Sequence, residues 1–225
     1  MPVHAEIIAI GDELLYGRVY DTNSFWLAEQ LTQLGLQVQR ITCIGDNVET
    51  IVSALEEALK RGNTFIISTG GLGPTQDDRT IEAASTFSQR PITTEGAILQ
   101  ALAARRNVPI EDVPPTIRKM SQTLEGATCI PGVTGWAPAT IFQKDGTTFI
   151  LLPGPPKEVR ELFQTASKII LEKSHQRSTA TRITVNAYES QVAPTTERVM
   201  KALPGTYIKP LVGQYTPGEG LPIDI

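Results

Sequence analysis

An α/β fold with a doubly wound, mostly parallel sheet is what this chain predicts, and three observations predict it. Short apolar runs alternate with amphipathic runs from the N-terminus onward. The first two amphipathic runs each end at a glycine, Gly35 and Gly62. The apolar runs are near-continuous, as in strands covered on both faces. A β-α-β-α-β-α order of this kind calls for parallel pairing with helices on either side.

The elements follow in order. Glu6 to Ile10 reads as a buried strand. Leu27, Leu31 and Leu34 share one helical face, and Val38 to Ile44 is the second strand. Ile51, Leu55 and Leu59 mark the second helix. Thr64 to Ser68 is the third strand, with a helix over Thr80 to Phe87. Glu95 to Arg106 is helical, Val113-Pro114-Pro115 interrupts it, and a shorter helix starts at Thr116. Ala127 to Ile130 is a strand. Ile141 to Gln143 and Thr148 to Leu152 flank Asp145-Gly146, a hairpin turn signal. A helix runs from Lys157 to Leu171. Beyond it we expect a strand at Arg182 to Ala187, a helix at Val192 to Leu203, and strands at Tyr207 to Val212 and Leu221 to Ile225. The last strand reads as an unpaired edge, as in a fragment of a longer protein. The expected organisation is a main domain over residues 1–172, a polar linker over 173–181, and a small, incomplete α+β unit over 182–225.

Composition excludes several functions. The chain has 225 residues, 40% hydrophobic and 20% charged, with a formal net charge of −4. That balance gives no electrostatic case for nucleic acid or an anionic membrane. No apolar run approaches the roughly 20 residues needed to span a bilayer, and no secretory signal opens the chain. Cys43 and Cys129 lie in apolar strand-like runs without metal-ligand spacing. They read as buried free thiols of a cytoplasmic protein.

The strongest chemical signal is Thr69-Gly70-Gly71-Leu72-Gly73-Pro74-Thr75-Gln76-Asp77-Asp78-Arg79-Thr80. It joins the third strand to a helix, and ligands of open parallel sheets bind at such strand ends. Its glycines allow close approach to a phosphate, and the following helix offers N–H donors. Neither the dinucleotide fingerprint nor the P-loop pattern is present. One reading is a tight turn with Asp78 as the helix cap. The other is a phosphate site in which one of Asp77 and Asp78 holds a divalent cation and the other caps the helix. Gly11-Asp12-Glu13, Asp21-Thr22-Asn23 and Gly45-Asp46-Asn47 stand at neighbouring strand ends and would share the cleft. Leu152-Pro153-Gly154-Pro155-Pro156-Lys157-Glu158 would form a fourth wall, with Lys157 as a phosphate contact. His4 and His175 are poorly placed for a general base, and no Ser/His/Asp set stands out. Trp26 reads as a packing residue. Trp136 reads as either packing or stacking.

These blocks, with Leu14, Leu15 and Gly17, resemble the competence/damage-inducible CinA family. The resemblance is to its N-terminal molybdopterin-binding-like domain of MoaB/Mog type, from about Glu6 to Phe163. It implies a MoaB/Mog-like doubly wound domain whose glycine loop cradles a phosphate. Asp46 and Asp78 fall at the functional carboxylate positions of Mog-type relatives. CinA-like relatives are associated with metal-dependent hydrolysis of ADP-ribose, and carry a KH-type module that Arg182 to Ile225 resembles in part. Many also have an amidase domain for nicotinamide mononucleotide, a function not carried over to this chain.

Two stretches depart from the family pattern. Ile117-Arg118-Lys119-Met120-Ser121 replaces an Asn-x-x-Gln-Ala pattern. Gly132-Val133-Thr134-Gly135-Trp136-Ala137-Pro138-Ala139 replaces Asn-x-x-Gly-Thr-Ala-Pro-Gly. The departures at Ile117, Gly132, Trp136 and Ala139 are expected to face the part of the ligand beyond its phosphates.

Three functions stay open: a pyrophosphatase acting on ADP-ribose or a related nucleotide diphosphate, pterin phosphate binding or transfer, and a non-catalytic sensing or assembly module. The expected catalytic residues are Asp46, Asp77 and Asp78, with Asp78 and Asp46 as ligands of a divalent metal ion (Mg, Mn or Co). The expected ligand contacts are Gly11, Glu13, Asn23, Thr69, Gly70, Gly71, Gly73, Pro74, Thr75, Gly154, Pro155 and Lys157. The expected partner is a phosphate-bearing small molecule, with no nucleic acid and no membrane. Self-association into a homo-oligomer is left open.

Overall fold

The first strand, β1 (Val3–Ile10), runs through the middle of the molecule's main sheet and is buried along most of its length. This computed structural model describes residues 3–133, 136–174, 181–216 and 218–225. The chain divides into two compact units, Met1–Arg177 and Ser178–Ile225.

In the first unit, β1 is followed by a single-turn helix α1 (Asp12–Leu15), then α2 (Thr22–Gln33), β2 (Leu36–Ile44), α3 (Val48–Lys60), β3 (Phe65–Thr69) and α4 (Thr80–Ser88). Next come β4 (Ile92–Thr94), α5 (Gly96–Arg106), α6 (Pro115–Lys119), β5 (Gln122–Leu124) and β6 (Thr128–Ile130). The unit closes with β7 (Ala139–Lys144), β8 (Thr147–Leu152) and α7 (Pro156–Ser174). Helix starts are set by local chemistry. Asp21 caps α2 by accepting from the Ser24 N–H at 2.9 Å, and Asn47 caps α3 through Thr50 at 2.9 Å.

Among the described residues the main sheet has the order β2-β1-β3-β8-β7-β6. The pairs β1–β2, β1–β3 and β3–β8 are parallel, as the alternation predicts. The hairpin β7–β8 and the pair β6–β7 are antiparallel. Asp145 and Gly146 both take left-handed backbone angles, φ 48° and 82°, which a two-residue turn between twisted strands requires.

Alternate side chains of the strands feed two cores. Ile8, Ile66 and Phe149 pack with Ile51, Leu55 and Phe87 from α3 and α4. Ile7, Ile67 and Ile150 pack on the other face with Leu27, Leu31, Leu162 and Phe163 from α2 and α7. This is why the strands look continuously apolar in sequence. Glu6 is the exception. Buried in β1, it accepts from Arg61 Nη2 at 2.6 Å and Arg61 Nε at 2.9 Å, and from Asn63 at 3.0 Å.

The second unit contains β9 (Arg182–Val185), α8 (Glu189–Ala202), β10 (Lys209–Pro210) and β11 (Leu221–Asp224), in an antiparallel sheet of order β10-β11-β9. Its own small core holds Ile208, Leu221 and Ile223.

Several expectations need correction. The last strand is not an edge, because β11 lies between β10 and β9 and pairs with both. Strand structure within Tyr207 to Val212 is confined to Lys209–Pro210. Helix α7 continues through Ser174 into the stretch read as linker, and residues 175–180 lie outside the described residues. Cys43 is exposed rather than buried, because β2 is a sheet edge and Cys43 faces outward. Its thiol is still pushed above the usual range, by partial burial and then by Asp21 and Glu13, so it is no reactive thiolate. No helix among the described residues is long and apolar enough to cross a membrane.

Candidate functional site

The carboxyl ends of β1, β2, β3 and β8 lie side by side, so the loops leaving them meet at one edge of the sheet. Two loops interlock first. The Asp12 N–H donates to Asp46 Oδ2 at 2.9 Å, and the Asp46 N–H donates to Asp12 Oδ1 at 3.3 Å. This contact needs Gly45, since a Cβ there would lie 2.3 Å from Asp12 Oδ1.

The glycine loop is fixed from both sides. Gly70 N–H donates to Leu152 O at 3.0 Å, and Gly70 O accepts from Thr80 Oγ1 at 2.8 Å. At φ 107°, a Cβ on Gly70 would stand 2.0 Å from the Ile10 carbonyl oxygen, so only glycine fits. Thr69 Oγ1 donates to Pro153 O at 2.8 Å and accepts from Asn23 Nδ2 at 3.0 Å. Asn23 Nδ2 also donates to Gly154 O at 2.7 Å. Among the described residues neither the Gly71 nor the Gly73 N–H is committed to a hydrogen bond. Free N–H groups on a tight loop at a strand end are what an anion cradle requires.

Asp78 does not cap α4. That helix starts after Arg79 without a side-chain cap, and Asp78 Oδ2 instead accepts from Thr75 N–H at 2.8 Å and Thr75 Oγ1 at 2.7 Å. The carboxylate thus closes its own turn and faces the cleft. Asp77 does not cap the helix either, and it also lines the cleft. Lys119, from α6, donates to Thr75 O at 2.5 Å and braces the same turn.

The result is a cleft of about 540 Å³. It is lined by Gly11, Glu13, Asp46, Gly70, Gly71, Gly73, Pro74, Thr75, Asp77, Asp78, Gly154 and Pro155 from the expected set. Three expected contacts are elsewhere. Asn23 and Thr69 form the hydrogen-bonded wall behind the glycine loop, and Lys157 is exposed on α7 outside the cleft lining. The lining also includes Asp12, Tyr16, Arg18, Met120, Ala137 and Glu158, which sequence reasoning did not select as contacts. Asp12 and Glu158 sat inside recognised motifs, so a signal existed for them. For Tyr16 and Arg18 there was none.

Charge in the cleft is strongly negative. Burial raises the Asp46 carboxyl above its usual range. The Asp12 N–H opposes this, and the charges of Asp12, Glu13 and Asp78 add to the rise. Burial also raises Glu158, with the Trp136 N–H and Arg105 opposing and Glu161 adding. Among the described residues no group of three or more His, Cys, Asp or Glu side chains is gathered as a metal cluster.

The departures from the family pattern fall differently from expectation. None of Ile117, Gly132, Trp136 and Ala139 lines the cleft; Met120 and Ala137 do. Ile117 packs into the core, and Ala139 is buried in β7. Trp136 lies under Arg105, whose guanidinium is 5.9 Å from the ring centroid. Arg105 also donates to Gly132 O at 3.1 Å and Val133 O at 2.7 Å, and Glu161 accepts from the Val133 N–H. Thr134 and Gly135 lie outside the described residues. Trp26 packs edge-on against Phe163 at 5.6 Å, as a packing residue should.

The model of a family described as "Probable molybdopterin binding domain" matches residues 6–173. The chain belongs to this family. Among its relatives are CinA-like proteins. A CinA-like protein of Kosmotoga olearia is 41% identical over 162 residues, 72% of this chain and 39% of that protein. The crystal structure of CinA from Thermoplasma acidophilum, whose function is given as unknown, is 31% identical with a TM-score of 0.71. It covers 75% of this chain and 98% of that one. The molybdopterin biosynthesis enzyme MoaB of Thermus thermophilus, at 20% identity and a TM-score of 0.51, covers 77% of this chain and 99% of its own and shares the fold. Matches to four curated bacterial relatives span between 39% and 50% of their length. The molybdopterin-binding-domain match thus covers the whole cleft, from Ile10 to Glu158.

Proposed function

We propose that the cleft binds the diphosphate of a small nucleotide-like molecule and, with a divalent metal ion, hydrolyses it, ADP-ribose being the reference substrate. The observation that carries this reading is the meeting of uncommitted Gly71 and Gly73 N–H groups with Asp46 and Asp78 in one cleft. The N–H groups suit phosphate oxygens. The carboxylates suit a hard cation: burial raises Asp46 most, the charges of Asp12, Glu13 and Asp78 add to the rise, and a cation would relieve that added repulsion. Two protein carboxylates fit an ion of Mg²⁺ type, which commonly shares its shell with water and substrate phosphates. Asp46 and Asp78 would hold it, and it would neutralise charge on the phosphoryl oxygens and activate water.

The chain's own groups position the reaction. The Gly71–Gly73 backbone orients the diphosphate, and the Asp12–Asp46 and Thr75–Asp78 hydrogen bonds hold the carboxylates in place. Water attacks one phosphorus, the bridging P–O bond breaks, and two monophosphates leave. Pterin phosphate binding is the second reading, supported by the description of the matching family. Residues 182–225 are read as a KH-type unit, and the cytoplasm as the site of action.

The test is to incubate the protein with ADP-ribose and Mg²⁺, Mn²⁺ or Co²⁺ and follow release of AMP. Metal-dependent AMP that disappears in Asp78→Asn supports the reading. Absence of AMP with every metal sinks hydrolysis of ADP-ribose.

A further inference from the structure

Among the described residues that line the cleft Arg18 is the only cation, and they include the carboxylates Asp12, Glu13, Asp46, Asp77, Asp78 and Glu158. Despite that company, its guanidinium forms no ion pair or hydrogen bond among the described residues. Four of the six carboxylates are engaged with backbone and hydroxyl donors instead. Asp12 and Asp46 accept from each other's N–H, Asp78 accepts from Thr75, and Glu158 accepts from the Trp136 N–H. Tyr16, two residues before Arg18, also lines the cleft, yet it is 72% exposed.

The segment that carries both residues is held rigidly by its backbone. Tyr16 N–H donates to Asp12 O at 2.9 Å, Gly17 N–H to Leu14 O at 3.2 Å, and Arg18 N–H to Glu13 O at 2.9 Å. Helix α1, from which it leads, is tied to Asp46. An aromatic face and an unpaired guanidinium are therefore presented together on a fixed turn. Preorganisation of this kind lowers the entropic cost of binding.

We infer that Tyr16 and Arg18 form a recognition subsite for a phosphate ester of a planar heteroaromatic ring, with Tyr16 stacking on the ring and Arg18 pairing with a phosphate. The inference rests on the phosphate-binding reading of the cleft and adds the part of the ligand that the glycine loop does not hold. It moves ring recognition from Trp136, which lies under Arg105 and outside the cleft lining, to the turn that follows α1. The class of ring, purine or pterin, is decided by the probes.

The experiment is titration calorimetry in Mg²⁺ with inorganic pyrophosphate, ADP and neopterin triphosphate, on the parent, Tyr16→Ala, Tyr16→Phe and Arg18→Gln. Stacking of one ring on an aromatic side chain corresponds to roughly a five- to hundredfold change in affinity. Tyr16→Ala should weaken the ring-bearing probe by that factor and leave pyrophosphate unchanged, and Tyr16→Phe should restore it. Arg18→Gln should weaken all probes that bind. Thermal melting of the variants should match the parent, since both side chains are exposed. Parent binding of ADP or neopterin triphosphate that Tyr16→Ala leaves unaltered would overturn the subsite alone. Failure of the parent to bind any of the three probes would overturn the phosphate-cleft reading and the subsite with it.

Discussion

Asp12 and Asp46, 34 residues apart in sequence, each offer a carboxylate oxygen to the other's backbone N–H. The exchange joins the loops after β1 and β2 and fixes one wall of the cleft. It also holds two like charges close together, with Glu13 and Asp78 nearby.

Burial of the Asp46 carboxyl, to which the charges of Asp12, Glu13 and Asp78 add, predicts a pH-dependent stability. The folded Asp46 carboxyl titrates above its ordinary 3.8, so the folded state holds this proton more tightly than the unfolded chain does. The stability contributed by Asp46 is then greatest below about pH 3.8 and falls as pH rises through the folded value. An asparagine in its place has no proton to lose and keeps an oxygen for the Asp12 N–H. Calorimetry should show Asp46→Asn melting above the parent at neutral pH, with the two curves converging in acid. A gap that is the same at every pH would count against this account.

Asp78→Asn should leave the fold nearly intact, because the amide oxygen can still accept from Thr75. Metal-dependent release of AMP should fall roughly a hundredfold or more, the scale expected for losing a metal ligand. Turnover equal to the parent, with the same metal dependence, would remove Asp78 from the mechanism.

Asn23 donates to both Thr69 and Gly154, tying α2 to two loops of the cleft. Asn23→Ala should cost about 1 kcal/mol, because it removes one part-buried hydrogen bond, to Thr69, and one exposed one, to Gly154. Asn23→Asp should cost at least as much at pH 7, since a carboxylate cannot donate to the Gly154 carbonyl. Urea unfolding midpoints, at unchanged slope, measure both.

Gly70→Ala and Gly96→Ala should differ sharply. A methyl at Gly70 meets the Ile10 carbonyl at 2.0 Å, whereas Gly96 opens α5 with nothing within 4 Å. The first should lose more than about 2 kcal/mol or fail to fold, and the second should be neutral or slightly stabilising. Equal melting temperatures would contradict the reading of the glycine loop.

Lys157→Ala should change pyrophosphate affinity by less than about twofold, as expected for an exposed side chain outside the site. Its neighbour Glu158 lines the cleft instead. The pair shows how much was legible in the sequence. The Leu152 to Glu158 block located a wall of the site, but which of two adjacent helical residues turns inward depends on how α7 packs through Leu162 and Phe163. Strands β1, β3 and β8 were legible because residues such as Ile7 and Ile8 are both buried, on opposite faces. The pair β4–β5 was not, because three-residue strands with an exposed member such as Ile92 carry no period. Asp78 looked like a cap because a helix follows it, and only the folded turn reveals its bond to Thr75. Tyr16 and Arg18 sit in a turn, where sequence gives no direction for a side chain.

Thr69 and Pro153, joined by a hydrogen bond behind the glycine loop, are 84 residues apart along the chain. Strand β8 pairs with β3 only after everything between them has been folded over or looped out. Contacts of such long range form slowly. The cleft is therefore expected to form late in folding, once β8 docks on β3. A bound phosphate compound should accordingly slow unfolding while leaving the refolding rate unchanged.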